Sequence, residues 1–158
     1  SRKELIMEQY RKFLEKVAEV ASIGDLTPDE DGLVSLMIDG AFGLNLQYVP
    51  QTSKIFCFVD MCEIPADADI GLLRDLLAAN LFYTETAGGT FAIDAESNRV
   101  IYQYMFDFVP ETADATQFVS ILEKILSLME LWIARINGRS VESNDDGKVT
   151  DASMQIRV

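Results

Sequence analysis

The sequence predicts an α+β domain with the element order αβββαββα: a twisted antiparallel sheet backed by a long C-terminal helix. Three observations predict it. Apolar residues recur at helical spacing in three separate stretches, near the start, in the middle and toward the end. Five short runs between them alternate or run apolar at period two, separated by turns rich in Gly, Pro, Asn and Asp. One of these runs, from Val100 to Phe108, is apolar on both faces, with Val100, Tyr102, Tyr104, Phe106 and Phe108 on one side and Ile101 and Met105 on the other. A half-solvated strand would alternate with polar residues, so this one wants cover on both sides.

The first helix spans about Lys3 to Ala21, where Ile6, Tyr10, Phe13, Leu14, Val17 and Ala21 form a stripe and Gly24 is expected to end it. A turn at 27–32 leads to a strand from Leu33 to Asp39, whose Val34, Leu36 and Ile38 share a face. Gly40–Gly43 turns the chain into Leu44–Val49, with Leu44, Leu46 and Tyr48 opposite Asn45 and Gln47. The third strand, Lys54–Met61, sets Ile55, Cys57 and Val59 against Phe56 and Phe58, so both its sides are apolar. Asp69 caps a second helix that carries Leu72, Leu73, Leu76 and Leu77 and ends near Asn80. Gly88-Gly89 precedes the strand Thr90–Asp94, and Glu96-Ser97-Asn98 turns it into the two-faced strand. Asp114 and Gln117 are spaced as a capping box for the third helix, which runs to about Ile136 and stops at Asn137-Gly138. At ~1.5 Å per residue that helix is roughly 34 Å long, enough to back a five-stranded sheet. Residues 1–136 thus form one domain, and 137–158 a polar tail in which Met154, Ile156 and Val158 alternate as a short strand would.

Charge narrows the function. The chain carries 26 acidic and 13 basic residues, net −13, and the whole excess lies between Ile23 and Ile136, with 18 acids against five bases. Such a surface repels phosphate backbones and anionic lipid, so neither nucleic acid nor membrane insertion is expected. No run is long and apolar enough to span a bilayer, no signal peptide is evident, and Ser1 reads as a trimmed start. With no histidine there is no imidazole base, no His-activated nucleophile and no His metal ligand. Cys57 and Cys62 on one extended strand would stand roughly 16 Å apart, beyond the ~7 Å reach of a disulfide, and read as reduced cytosolic thiols. The acidic turns at 27–32 and 144–147 miss the calcium-loop pattern, lacking the required first acid or the Glu at position twelve. Gly88-Gly89 has neither the further glycines nor the helix start of a phosphate loop. Asp107, among aromatics, reads as a strand-end residue capping a turn. No catalytic residue, metal or cofactor is expected. What remains is surplus apolar surface, which marks an interface, although the first helix's stripe and any single leucine of the second are equally readable as core.

The run Leu72-Leu73-Arg74-Asp75-Leu76-Leu77-Ala78-Ala79-Asn80, followed by Gly88-Gly89-Thr90-Phe91-Ala92-Ile93-Asp94, has a specific order and spacing. With the amphipathic first helix, Asp31-Gly32 opening a strand and the long helix bearing Trp132, it resembles the small acidic class I chaperones of bacterial type III secretion, of the Tir-chaperone (CesT-like) type. The likeness spans about Lys3 to Ile136. It implies a non-catalytic cytoplasmic homodimer that wraps the N-terminal segment of an effector in extended form, with a secretion ATPase as a further partner. Carried over by position, Leu5, Phe13, Leu14 and Val17 on the first helix and Leu36, Ile38, Leu44 and Leu46 on the strands would bind the client. Leu73, Leu76, Leu77 and Phe91 would join the dimer. The competing expectations are a dimeric adaptor or regulator of the same fold, and a small-ligand or enzyme domain with a closed polar pocket.

Overall fold

Period-two patterning and hairpin turns decide the architecture. The computed structural model describes residues 1–138; the expected strand at Met154, Ile156 and Val158, the 144–147 turn and all but the first two residues of the polar tail lie outside them. The elements are α1 (Arg2–Ala21), β1 (Leu33–Ile38), β2 (Phe42–Val49), β3 (Lys54–Glu63), α2 (Ile70–Ala79), a 3-10 turn (Leu81–Tyr83), β4 (Thr90–Asp94), β5 (Arg99–Asp107) and α3 (Ala115–Gly138). The strands form one sheet in the order β1-β2-β3-β5-β4, antiparallel throughout, so β1 and β4 are its edges.

Helix starts follow the expected chemistry. Ser1, Asp69 and Asp114 each accept backbone N–H groups of the first turn through a side-chain oxygen, from Glu4, from Leu72, and from Thr116 and Gln117 respectively. The end of α1 differs from expectation. It closes at Ser22, whose φ of 56° lets the Ile23 N–H return to the Ala18 carbonyl, two residues before Gly24. The β1–β2 turn is also tighter than expected, because Phe42 is buried and starts β2.

Every second strand residue enters one core. Val34, Leu44, Leu46, Tyr48, Ile55, Cys57, Val59, Val100, Tyr102 and Phe106 are buried against α1 and α3. Aromatic rings fasten the layers: Phe13 meets Phe118 edge-on at 5.2 Å, Phe106 lies 4.2 Å from Phe118, and Phe91 4.9 Å from Trp132. On the opposite sheet face Phe56 and Phe58 pack together at 5.3 Å, half-buried, with Met105 beside Phe56 in register. Asp107 departs from expectation there. It caps no turn; strand register sets it against Lys54, with which it forms an exposed ion pair. A second such pair joins Asp60 to Arg99. Among the described residues no helix is long and apolar enough to cross a membrane.

Candidate binding surfaces

The C-terminal half of α1, the β1–β2 hairpin and the N-terminal half of α3 enclose an open apolar groove of about 270 Å³. Val17 and Ala21 form one wall and Val119, Leu122 and Leu126 another; Leu36, Ile38, Leu44 and Leu46 form the floor. The alternation of β1 and β2 puts these four leucine and isoleucine side chains on one face. Leu44 and Leu46 are buried, whereas Leu36 and Ile38 stay half-open at the rim. The rim also carries Asp25 and Asp39. Among the described residues β1 has no strand on its far side, so an edge runs alongside the groove.

A second apolar trough, about 310 Å³, lies between α2 and β4 and is lined by Leu73, Leu76, Leu77, Phe91, Ala92 and Ile93. The leucine-rich run explains itself here. Leu72, Leu76 and Ala79 bury one side of α2, Leu73 and Leu77 open outward, and Asn80 locks the helix end to the sheet edge. The Asn80 side-chain amide donates to the Phe91 carbonyl at 3.1 Å, and the Phe91 N–H donates to its side-chain oxygen at 2.8 Å. A side chain thereby does for Phe91 what a sixth strand would do. Gly88-Gly89 serves the same corner: a Cβ on Gly89 would collide with the Gln103 carbonyl and the Tyr102 ring, and Gly88 (φ 91°) sits against Tyr104.

A family model described as "Tir chaperone protein (CesT) family" matches residues 12–133. The chain belongs to that family. No curated protein matches it in sequence. Among solved structures it is similar to a chain of the ExsC–ExsE complex, at 18% identity and TM-score 0.68, covering 82% of this chain and 95% of that one. It is also similar to a chain of the HopA1–SchA chaperone–effector complex, at 16% identity and TM-score 0.61, covering 84% and 95%. A third is the Yersinia pestis type III secretion chaperone SycH in complex with a fragment of YscM2, at 17% identity and TM-score 0.62, covering 80% and 98%. At these identities the likeness is one of fold, and it is the Tir-chaperone fold.

Within this Tir-chaperone fold the residues singled out from the sequence separate into groups. Val17, Leu36, Ile38, Leu44 and Leu46 meet in the first groove. Phe13 lines a different cavity of about 330 Å³, with Tyr104, Phe106 and Phe118. Leu14 has no exposed surface and belongs to the core, and Leu5 stands exposed on the first turns of α1, lining neither cavity. Leu73, Leu76, Leu77 and Phe91 all line the α2–β4 trough. Sequence reasoning missed the α3 wall of Val119, Leu122 and Leu126, because a helical stripe does not reveal which of its members face a gap. It also did not single out Phe82 and Tyr83, two exposed aromatic side chains just past the end of α2.

The buried Tyr10 and Tyr102 hydroxyls donate to the Gly32 and Thr86 carbonyls, and burial first of all raises both tyrosine pKa values. Cys57 and Cys62 are free thiols, and burial pushes Cys57 up to about 12. These groups are held protonated, the opposite of what a nucleophile needs.

Proposed function

We propose that this chain is a dimeric class I type III secretion chaperone, cytoplasmic in its bacterium, that binds the N-terminal segment of an effector in extended form and keeps it soluble and secretion-competent. The observation that carries the reading is the open apolar groove beside the β1 edge. Membership of the Tir-chaperone family supports it, as do similar folds solved in a chaperone–effector complex and in a complex of a type III secretion chaperone with a protein fragment. The chain is a binding protein rather than an enzyme, and a secretion ATPase is its second partner after the client.

The groove suits an unfolded segment. Apolar client side chains entering it are removed from water at roughly 25 cal/mol per Å². A client backbone laid along β1 gains ladder hydrogen bonds that are indifferent to sequence. Ordering the segment costs entropy, so useful affinity needs a long wrapped surface. The net charge of −13 keeps a molecule with open apolar grooves in solution. Leu73, Leu76, Leu77 and Phe91 form the dimer face in this reading, and Val17, Leu36, Ile38, Leu44 and Leu46 the main client groove, with Leu5 and Phe13 outside it, nearer the start of α1.

Leu14 and Leu46 are 0% and 1% exposed, so a charge at either tests folding rather than binding. Leu36→Asp and Ile38→Asp at the half-open rim are the informative changes. Each is expected to weaken an effector segment's binding by about 30-fold or more while the melting curve and the dimer mass stay near wild type. Unchanged binding by an intact dimer would contradict the groove assignment.

A further inference from the structure

The two edges of the sheet are not equally open. At β4 the Asn80 side chain occupies the outward N–H and carbonyl of Phe91. At β1 the described residues close the first position in a similar way. The Leu33 N–H donates to an Asp29 carboxylate oxygen at 2.9 Å, and the Asp29 N–H donates to the Leu33 carbonyl at 3.0 Å. In an antiparallel strand the backbone groups of alternate residues point to the same side. Leu33 thus sets the direction for the rest of β1: the N–H and carbonyl groups of Ser35 and Met37 point away from β2, along the open edge. The side chains of Leu36 and Ile38 line the groove. Edge and groove form one seat, in which an added strand would set every second side chain beside Leu36 and Ile38.

The chain itself supplies a segment of that form. Residues 139–158 follow α3, and among them Met154, Ile156 and Val158 alternate with Gln155 and Arg157, the pattern of a strand with one apolar face. Residues 152–158 include one base, Arg157, and no acid, while the groove rim carries Asp25 and Asp39. The charges are complementary. Length also suffices. Leu122 in the groove wall lies about 24 Å back along α3 from Gly138, at ~1.5 Å per residue. Residues 139–153 reach up to about 50 Å when extended.

We propose that residues 154–158 dock as an added strand on the β1 edge of their own chain, with Met154, Ile156 and Val158 in the groove, and that an incoming client displaces them. This rests on the reading of the groove as a site for extended chain. The tail is the occupant because its linkage makes docking intramolecular. A connection of this length holds the segment at an effective concentration on the order of millimolar. A weak contact then covers the groove, and a client with a longer wrapped surface outcompetes it. The α2–β4 trough is a poorer seat: its edge is closed at Phe91, and no charged residue among those described lines it.

Hydrogen exchange of the full chain with no client present tests this on wild type and Ile156→Asp. The Ser35 and Met37 amides are expected to exchange at least about 10-fold faster in Ile156→Asp, while those of Leu44 and Leu46 in β2 stay unchanged. Two double-cysteine chains locate the segment. Ile156→Cys with Leu36→Cys is expected to close a disulfide within one chain on mild oxidation, read by non-reducing gel and mass spectrometry, and Ile156→Cys with Leu77→Cys is not. Equal exchange of Ser35 and Met37 in wild type and Ile156→Asp overturns the proposal. So does closure at position 77 alone, or at position 36 only between two copies. Each readout is taken without a client, so a negative result leaves the client reading to the Leu36→Asp binding test. An effector segment bound equally well by Leu36→Asp contradicts that reading without moving the exchange rates.

Discussion

Gly89 and Asn80 are small residues with large structural consequences. A methyl group on Gly89 has no room, since backbone and a buried tyrosine meet it from the same side. Gly89→Ala is expected to destabilise the fold by about 3 kcal/mol, read as a lowered urea midpoint with an unchanged slope. Asn80→Ala leaves the Phe91 N–H and carbonyl without the amide that binds both. Loss of about 2 kcal/mol is expected, and hydrogen exchange should show faster exchange of the Phe91 amide than elsewhere in β4. Titration belongs at this scale too. The Cys57 thiol has an ordinary value of 9.0 but about 12 in the folded chain. Between those values the folded state holds the proton and the unfolded state does not, so stability falls as pH rises. Cys57 alone contributes a loss of about 1.4 kcal/mol per pH unit in that window, and the raised Tyr10 and Tyr102 steepen it above their ordinary value of 10.0. Urea midpoints should hold level near pH 8 and decline from about pH 9 to about pH 11; a flat profile throughout would contradict the burial of these groups.

At the scale of elements, periodicity carried most of the fold. Stripe spacing located α1, α2 and α3, and period-two runs located five strands in the right order, because both patterns are direct consequences of 3.6-fold and two-fold side-chain repeats. Errors fell where one residue's packing outweighs a pattern. Ser22 takes the left-handed cap expected near Gly24, and Phe42 leaves the expected turn for the core. The trough was the more legible of the two surfaces, since α2 is short and its leucines have few places to go. The groove was less so: Leu14 and Val17 share a stripe and are both buried, yet only Val17 lies along the groove wall. Only the crossing of α1, α3 and the hairpin decides which side chains reach open space, and sequence spacing does not encode that crossing.

For the whole molecule, the described residues leave two apolar surfaces uncovered, the α2–β4 trough and the groove beside β1. In the proposed function the first takes a second copy and the second an unfolded client, with the acidic exterior separating these uses from nonspecific association. The most direct measurement isolates the chain from its native cell with its bound client, digests the complex lightly and identifies the surviving client fragment by mass spectrometry. The account predicts a fragment from the client's N-terminal region that is protected only while bound, has no stable fold once released, and is lost with Leu36→Asp. A partner that survives as an intact folded domain, bound equally well by the Leu36→Asp chain, would contradict it.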